Sequence, residues 1–248
     1  MSRALIVSIT GGIMFWLFAA MPAGAQEKTP PIPTYRCHRA VGPITVDGKL
    51  SEASWSKAEV MGPLQPWSGK GRAYARTFVR LLWDAKYLYL GWYCADSKIV
   101  STYEKRDDPI YKEECIEFFV DPQGTGKQYY EINVSPRNVI FDALISFEEV
   151  GKFTGDAKWT TEGMLTAVRE IRGKAAGELF GWKVEEAIPF TALSQLAKRA
   201  PKRGETWRVN CYRIEREPYL EYLAWSPTLT EKENYHVPAR FGRLQFVD

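Results

Sequence analysis

The sequence predicts an all-β protein, an antiparallel β-sandwich of jelly-roll type with only short helical turns. Three observations carry that expectation. About ten short runs rich in aromatic and β-branched residues recur along the chain. Most are bounded by Gly, Pro, Asn or Asp, the residues of tight turns. Roughly 220 residues follow an apolar N-terminal segment, a length that one all-β domain can absorb.

Tyr35–Val41 is the first expected strand, and Ile44–Asp47 a second, short one that ends in the Asp47-Gly48 turn. Leu50–Ala58 reads as one or two helical turns with Ser51 as the cap. Met61–Ala75 carries Gly62, Pro63, Pro66, Gly69 and Gly71 and is expected to be loop. Arg76–Trp83 and Tyr87–Cys94 form a hairpin across Asp84-Ala85-Lys86. In the second of these, Leu88, Leu90, Trp92 and Cys94 share one face while Tyr87, Tyr89 and Tyr93 share the other. Two apolar faces predict a central strand. Cys115–Val120, Gln128–Val134 and Asn138–Leu144 are the next strands. Gly151–Gly177 gives only a weak pattern. Trp182–Ile188, Thr206–Ile214, Tyr222–Trp225 and Phe241–Phe246 complete the set, with a short helix opened by Pro189.

The N-terminus reads as a processing signal. Arg3 precedes an apolar stretch, Ala4–Ala20, and Ala23-Gly24-Ala25 has the small-x-small form of a cleavage site. Residues 1–25 are therefore expected to be a signal peptide, 26–34 an extended leader, and 35–248 a single domain of a secreted or periplasmic protein. A membrane anchor is the competing reading of the same stretch. After cleavage no membrane partner is expected. The net charge of +3 is spread along the chain, which argues against a nucleic-acid partner. Four cysteines, Cys37, Cys94, Cys115 and Cys211, allow two disulfides or four buried thiols. Their long spacings argue against zinc.

Alternation within the strands places Glu117 opposite in face to Ile116, Phe118 and Val120. It likewise puts Glu131 and Asn133 on the face away from Tyr130, Ile132 and Val134. If the two strands pair, Glu117, Glu131 and Asn133 line one polar face, a set of groups suited to the donating and accepting hydroxyls of a sugar. An ordinary solvated face would look the same.

Four phrases occur in fixed order: ITVDGKLSEASW, VRLLWDAKYLYLGWYCAD, ECIEFFVDP with YYEINVSP, and PARFGRLQFVD. Together they resemble the family 9 carbohydrate-binding modules, and more closely the standalone secreted proteins similar to them. The resemblance covers most of Ile44–Val247 and is weakest over Gly151–Pro201. It implies a non-catalytic sandwich that holds a sugar between two aromatic rings, in the service of polysaccharide catabolism. Six residues before Glu117 it places the first ring at Tyr111, and before the final strand the second at Tyr235. Asn234 and His236 would assist. The chain has Tyr where the family's modules prefer Trp, and Glu131 where they carry an Arg. The resemblance also implies structural calcium, with Glu52 and Asp96 as the matching acids. Trp67, in a Pro/Gly loop, could extend the binding surface, whereas Trp55, Trp83, Trp92 and Trp225 read as core. His38 reads as structural.

The alternative function is a glycoside hydrolase that uses Glu117 with Glu131 or Asp142, since such enzymes need a carboxylate pair. No nucleophile elbow, metalloprotease helix or phosphate loop is present. A haem-binding sandwich would have only His38, His236 and a few Met to offer as ligands.

Overall fold

The computed structural model describes residues 29–174 and 177–248. The expected signal peptide and its cleavage site lie outside them, and so does the start of the expected leader. Ile32–Asp248 forms one compact unit. Its strands are β1 (Thr34–Arg39), β2 (Gln65–Pro66), β3 (Thr77–Trp83), β4 (Tyr87–Ala95), β5 (Cys115–Asp121), β6 (Gln128–Val134), β7 (Ile140–Glu149), β8 (Lys152–Asp156), β9 (Leu165–Arg172), β10 (Leu179–Pro189), β11 (Thr206–Glu215), β12 (Glu221–Ala224) and β13 (Gly242–Phe246). Two short helices, α1 (Ala53–Lys57) and α2 (Ser194–Ala197), complete it. No described helix is long and apolar enough to cross a membrane.

The strands form a β-sandwich. One sheet runs β8-β7-β6-β5-β11-β13-β1, with β12 and β2 continuing from β11. The other runs β1-β3-β4-β10-β9. β1 belongs to both. Its first half pairs in parallel with β13 through Thr34–Cys37, and its last residues, His38 and Arg39, pair with β3. The remaining pairs named in these two sheets are antiparallel.

Period-two alternation explains the core. Val79, Leu81 and Trp83 of β3, and Leu88, Leu90, Trp92 and Cys94 of β4, meet Ile116, Phe118, Val120, Ile132 and Val134 of the facing sheet. β4 lies between β3 and β10, the central place that its two apolar faces predicted. Trp55, Trp83 and Trp92 are buried as expected. Trp225 packs at the edge of the core, and its ring explains the Phe-Gly pair that opens β13. A Cβ on Gly242 would sit 2.1 Å from that ring.

The outer face of the second sheet is covered by α1 and the segment before it. Trp55 and Ala58 pack on Leu82, Tyr89 and Ala187, with Ile44, Val46 and Leu50 alongside. The expected strand at Ile44–Asp47 does not form. Glu185 of β10 replaces ladder bonding there. It accepts the backbone N–H of Asp47 (3.0 Å) and of Gly48 (3.0 Å), and the indole N–H of Trp55 (2.8 Å). Gly48 has φ +77° in this turn, a conformation that suits glycine. Ser51 does not cap α1. The cap position is Glu52, without a side-chain bond, and Ser54 instead bonds the backbone of Val41.

Pro189 closes β10 rather than opening a helix, and α2 begins five residues later. The weak region contains two strands, β8 and β9, both at sheet edges. β8 is exposed throughout, so its sequence lacks an apolar stripe.

The cysteines do not pair. All four are buried free thiols. Cys37, Cys94 and Cys211 sit between the sheets, while Cys115 lies on the outer face of the first sheet. Parity separates even Cys115 and Cys211 on adjacent strands. The two-disulfide reading is therefore corrected to four buried side chains acting as small hydrophobes.

Candidate functional site

The outer face of the first sheet carries a second apolar cluster, formed by Phe119, Tyr129, Ala143, Ile145, Tyr212, Ile214 and Tyr235 among others. Into this face the sheet sets its polar groups. Register places Tyr212, Glu117, Asn133 and Phe141 in one row across β11, β5, β6 and β7. The next row reads Asn210, Phe119, Glu131 and Ala143. Glu117 and Glu131 are thus diagonal neighbours on paired strands, a relation that sets Cβ atoms about 7 Å apart. The expected pairing of β5 with β6 is present.

These three polar residues are buried, not solvated. Asn133 donates from Nδ2 to Glu131 Oε1 at 2.9 Å. Its own Oδ1 has no partner. Glu117 accepts only a weak bond from the Cys115 thiol, at 3.6 Å. Burial, then the charge of Glu131, pushes the Glu117 carboxyl well above the usual range. Burial lifts Glu131 to about 7, against the opposing pull of the Asn133 amide.

A cleft of about 1070 Å³ opens over this face. Glu117 and Glu131 line it, with Tyr111, Phe141, Phe153, Tyr222, Asn234, Tyr235 and His236. Asn133 lies beside Glu131 rather than on the wall. Tyr111 stands on a 3₁₀ turn, Ile110–Lys112, just ahead of β5. Its ring is 40% exposed and meets Phe141 edge-on at 5.1 Å.

Tyr235 reaches the same cleft in a different state. It is 7% exposed and lies flat on Tyr212, with ring centroids 4.0 Å apart. Its hydroxyl donates to Arg213 O at 2.7 Å. One of the two expected rings is therefore half open, and the other is held by the core.

His236 follows in the same loop. Its Nδ1 is 2.8 Å from the Tyr129 hydroxyl, and Phe153 stacks over it at 3.6 Å. Burial lowers its pKa to about 4, which keeps the imidazole neutral at pH 7. The approach of Nε2 to Glu131 Oε2, 3.8 Å, is accordingly a contact between a neutral ring and an acid, not an ion pair. Asn234 turns inward and accepts the His236 backbone N–H at 2.9 Å. His38 is structural, with Nδ1 on Asp248 O at 2.7 Å.

Other candidates fall elsewhere. Asp142 is on the inner parity of β7, where it pairs with Arg106 and accepts the Thr161 N–H at 2.9 Å. It cannot act with Glu117, because the sheet separates them. Trp67 packs edge-on behind Tyr222 and is absent from the cleft wall. The residues sequence reasoning missed are Phe141, Phe153, Tyr222 and Tyr212. Parity along β7 and β11 could have found Phe141 and Tyr212. Phe153 had no such signal on its exposed strand.

The expected calcium acids are not neighbours in a cage. Among described residues the acids that converge are Asp96, Glu114 and Glu215, with ligand atoms within 4.8 Å, and Glu52 is not one of them. Glu52 instead accepts the Thr45 N–H. Arg213 already supplies positive charge to the converging group, its Nη2 contacting both Asp96 and Glu215. Trp182 Nε1 and the Lys98 N–H also bond Asp96. With those positions taken, the residues do not fit a calcium ion.

Comparison with known proteins agrees with this fold. Solved structures that share the fold include the following three. A Bacteroides uniformis protein proposed to bind carbohydrate superposes with a TM-score of 0.67 at 19% identity, over 87% of this chain and all of its own. A family 9 carbohydrate-binding module from Caldicellulosiruptor kristjanssonii, in complex with cellotriose, gives 0.59 at 16% identity over 86% of this chain and 93% of the module. Its glucose complex gives 0.59 at 16% over 85% and 95%. Among curated proteins no sequence matches the chain. The family model for carbohydrate-binding family 9 matches residues 67–246, from the loop ahead of β3 through the last residue of β13, and the chain belongs to that family.

Proposed function

We propose that the cleft holds a carbohydrate and does not cleave it. The observation that carries this reading is a half-open ring, Tyr111, on the same cleft as two buried carboxyl groups. A sugar presents an apolar C–H face to a ring and hydroxyls to acceptors and donors. Tyr111 would take the face, while Glu117 and Glu131 take hydroxyls, with Asn133 orienting Glu131. Asn234 and His236 shape the wall beside Tyr235. The structures of the family 9 module with cellotriose and glucose support the ligand class. Calorimetric titration of the protein with cellotriose and with a glycan panel tests it, and Tyr111→Ala should remove most of the binding.

One observation favours hydrolysis as a second reading. Glu117 and Glu131 stand as diagonal neighbours on paired strands and burial raises both, as in the carboxylate pair of a glycosidase. Release of reducing ends from the best-bound sugar by the intact protein, lost in Glu117→Gln, would establish it. We further propose that residues 1–25 direct export and that the protein serves polysaccharide catabolism outside the cytoplasm. The intact mass of exported protein, expected to begin at Gln26, tests the first of these.

A further inference from the structure

Buried acids elsewhere in this fold are supplied with donors. Asp121 accepts three backbone N–H groups, from Gln123, Gly124 and Gly126. Asp142 has Arg106 and a backbone N–H, Glu185 has three donors, and Asp96 and Glu215 share Arg213. The two acids in the cleft are not so supplied. Glu117 has a thiol and Glu131 has one amide. Beside them Asn133 Oδ1, fully buried, is a third acceptor without a donor. The remaining under-supplied acid, Glu186, lies between the sheets and lines no cleft wall.

The charge of the wall points the same way. Its acidic residues are Glu117, Glu131, Glu231 and Glu233, and its one cationic side chain is Lys232, exposed at the rim. His236 is neutral. A buried carboxylate pair with an acceptor amide beside it lacks donors and positive charge, and an ammonium group brings three N–H donors and one charge. Building on the carbohydrate reading above, we infer that the ligand is an amino sugar, a hexosamine unit with a free protonated amine held by Glu117 and Glu131.

Such binding must draw off any proton that the pair holds, so affinity should fall as pH drops below about 7, where Glu131 protonates. The groups that face the pair are Cys115 on β5, Tyr129 on β6, Tyr212 on β11, and Tyr235 and His236 in the loop, with Glu231, Lys232 and Glu233 at the rim. Burial raises Cys115 and the three tyrosines and holds His236 near 4. Among these buried groups, Glu131 is the one whose charge changes near neutrality.

Three β-1,4 trisaccharides that differ only at carbon 2 test the inference by calorimetry on the full chain at pH 7. They are the glucosamine trimer, its fully N-acetylated form and cellotriose. The glucosamine trimer should bind at least tenfold more tightly than the other two. That preference should collapse in Glu131→Gln and in Glu117→Gln, with melting temperatures showing that both variants remain folded. A preference for cellotriose, or a glucosamine preference that survives both substitutions, overturns the amino-sugar assignment and leaves carbohydrate binding standing. Failure of all three to bind the folded protein overturns both.

Discussion

Tyr212 and Tyr235 are joined twice. Their rings stack at 4.0 Å with only 15° between planes, and the Tyr212 hydroxyl donates to the Tyr235 carbonyl at 2.9 Å. Both groups are buried, and the Tyr235 hydroxyl is in turn anchored on β11 at Arg213 O. Tyr235 therefore fastens the loop that carries Asn234 and His236 to β11, beside the bond of His236 to Tyr129 on β6. Tyr235 is a strut of the cleft as well as part of its wall.

The two expected stacking rings should consequently respond differently to truncation. Tyr235→Ala should cost about 3–5 kcal/mol of stability, the range of large-to-small changes in a core. Tyr235→Phe should cost about 1 kcal/mol, because the stack survives and one buried hydrogen bond is lost. Tyr111→Ala should cost under about 1 kcal/mol, since the ring is half exposed, while weakening sugar binding about thirtyfold or more. Denaturant unfolding beside titration reads both quantities. Equal losses of stability at the two positions would contradict the strut role.

Much of this was legible in the sequence because parity is a local property. The alternation through Ile116, Phe118 and Val120 put Glu117 on the opposite face, and the same rule brought Glu131 and Asn133 to it. Pairing of β5 with β6 then needed only a hairpin-length connection. What local pattern could not show is how deeply that face is covered. Glu117 and Glu131 are buried where the loop before β13 lies over the sheet, its Tyr235 on Tyr212 and its His236 against Tyr129 and Phe153, and those contacts are remote in sequence. The same limit hid β8 and β9. As edge strands they leave one flank unpaired, and β8 buries neither face. The segment at Ile44–Asp47 failed for the converse reason. It has strand-like residues, but its backbone N–H groups bond side chains instead of a neighbouring strand, Thr45 to Glu52 and Asp47 to Glu185.

That side chain gives a second stability test. Glu185→Ala would leave two backbone N–H groups and the Trp55 indole without an acceptor. Three orphaned donors, partly relieved by water, should cost about 2–4 kcal/mol. Glu185→Gln should cost less, since one acceptor oxygen remains. Hydrogen exchange at Asp47 and Gly48 should accelerate in both variants, and unchanged exchange would show that another group holds the turn.

The cysteines make a simpler case. Their burial and separation predict that no thiol reacts in the native protein and that four react in denaturant without reductant. The Cys115 thiol is further pushed up by burial and by Glu117. Labelling followed by intact mass measurement counts them. Two or fewer labels after unfolding without reductant would indicate disulfides and contradict this arrangement.

Glu186 makes stability depend on pH in a way that one substitution can isolate. It stands on the core side of β10, among Trp182, Val184 and Ile188, and neither of its oxygens has a hydrogen-bond partner. The Trp92 indole is beside it, but its N–H lies outside hydrogen-bond geometry, so its help is small. Burial raises the carboxyl from its ordinary 4.5 to about 8. The native state therefore holds a proton that the unfolded chain has lost throughout the interval between those values. Stability from this group is fully present below pH 4.5 and is lost as pH rises toward 8, by on the order of 4 kcal/mol in total. Glu186→Gln removes the titration while keeping the shape. At pH 5 the variant and the parent should unfold at similar denaturant concentrations. At pH 8 the variant should be the more stable, by an amount that grows steadily across the interval. The comparison isolates Glu186 from Glu114, Glu117 and Glu131, whose pKa values are also raised but which both proteins retain. A difference between variant and parent that does not change with pH would mean that Glu186 carries its charge in the fold, and would require a cation or water that bonds it between the sheets.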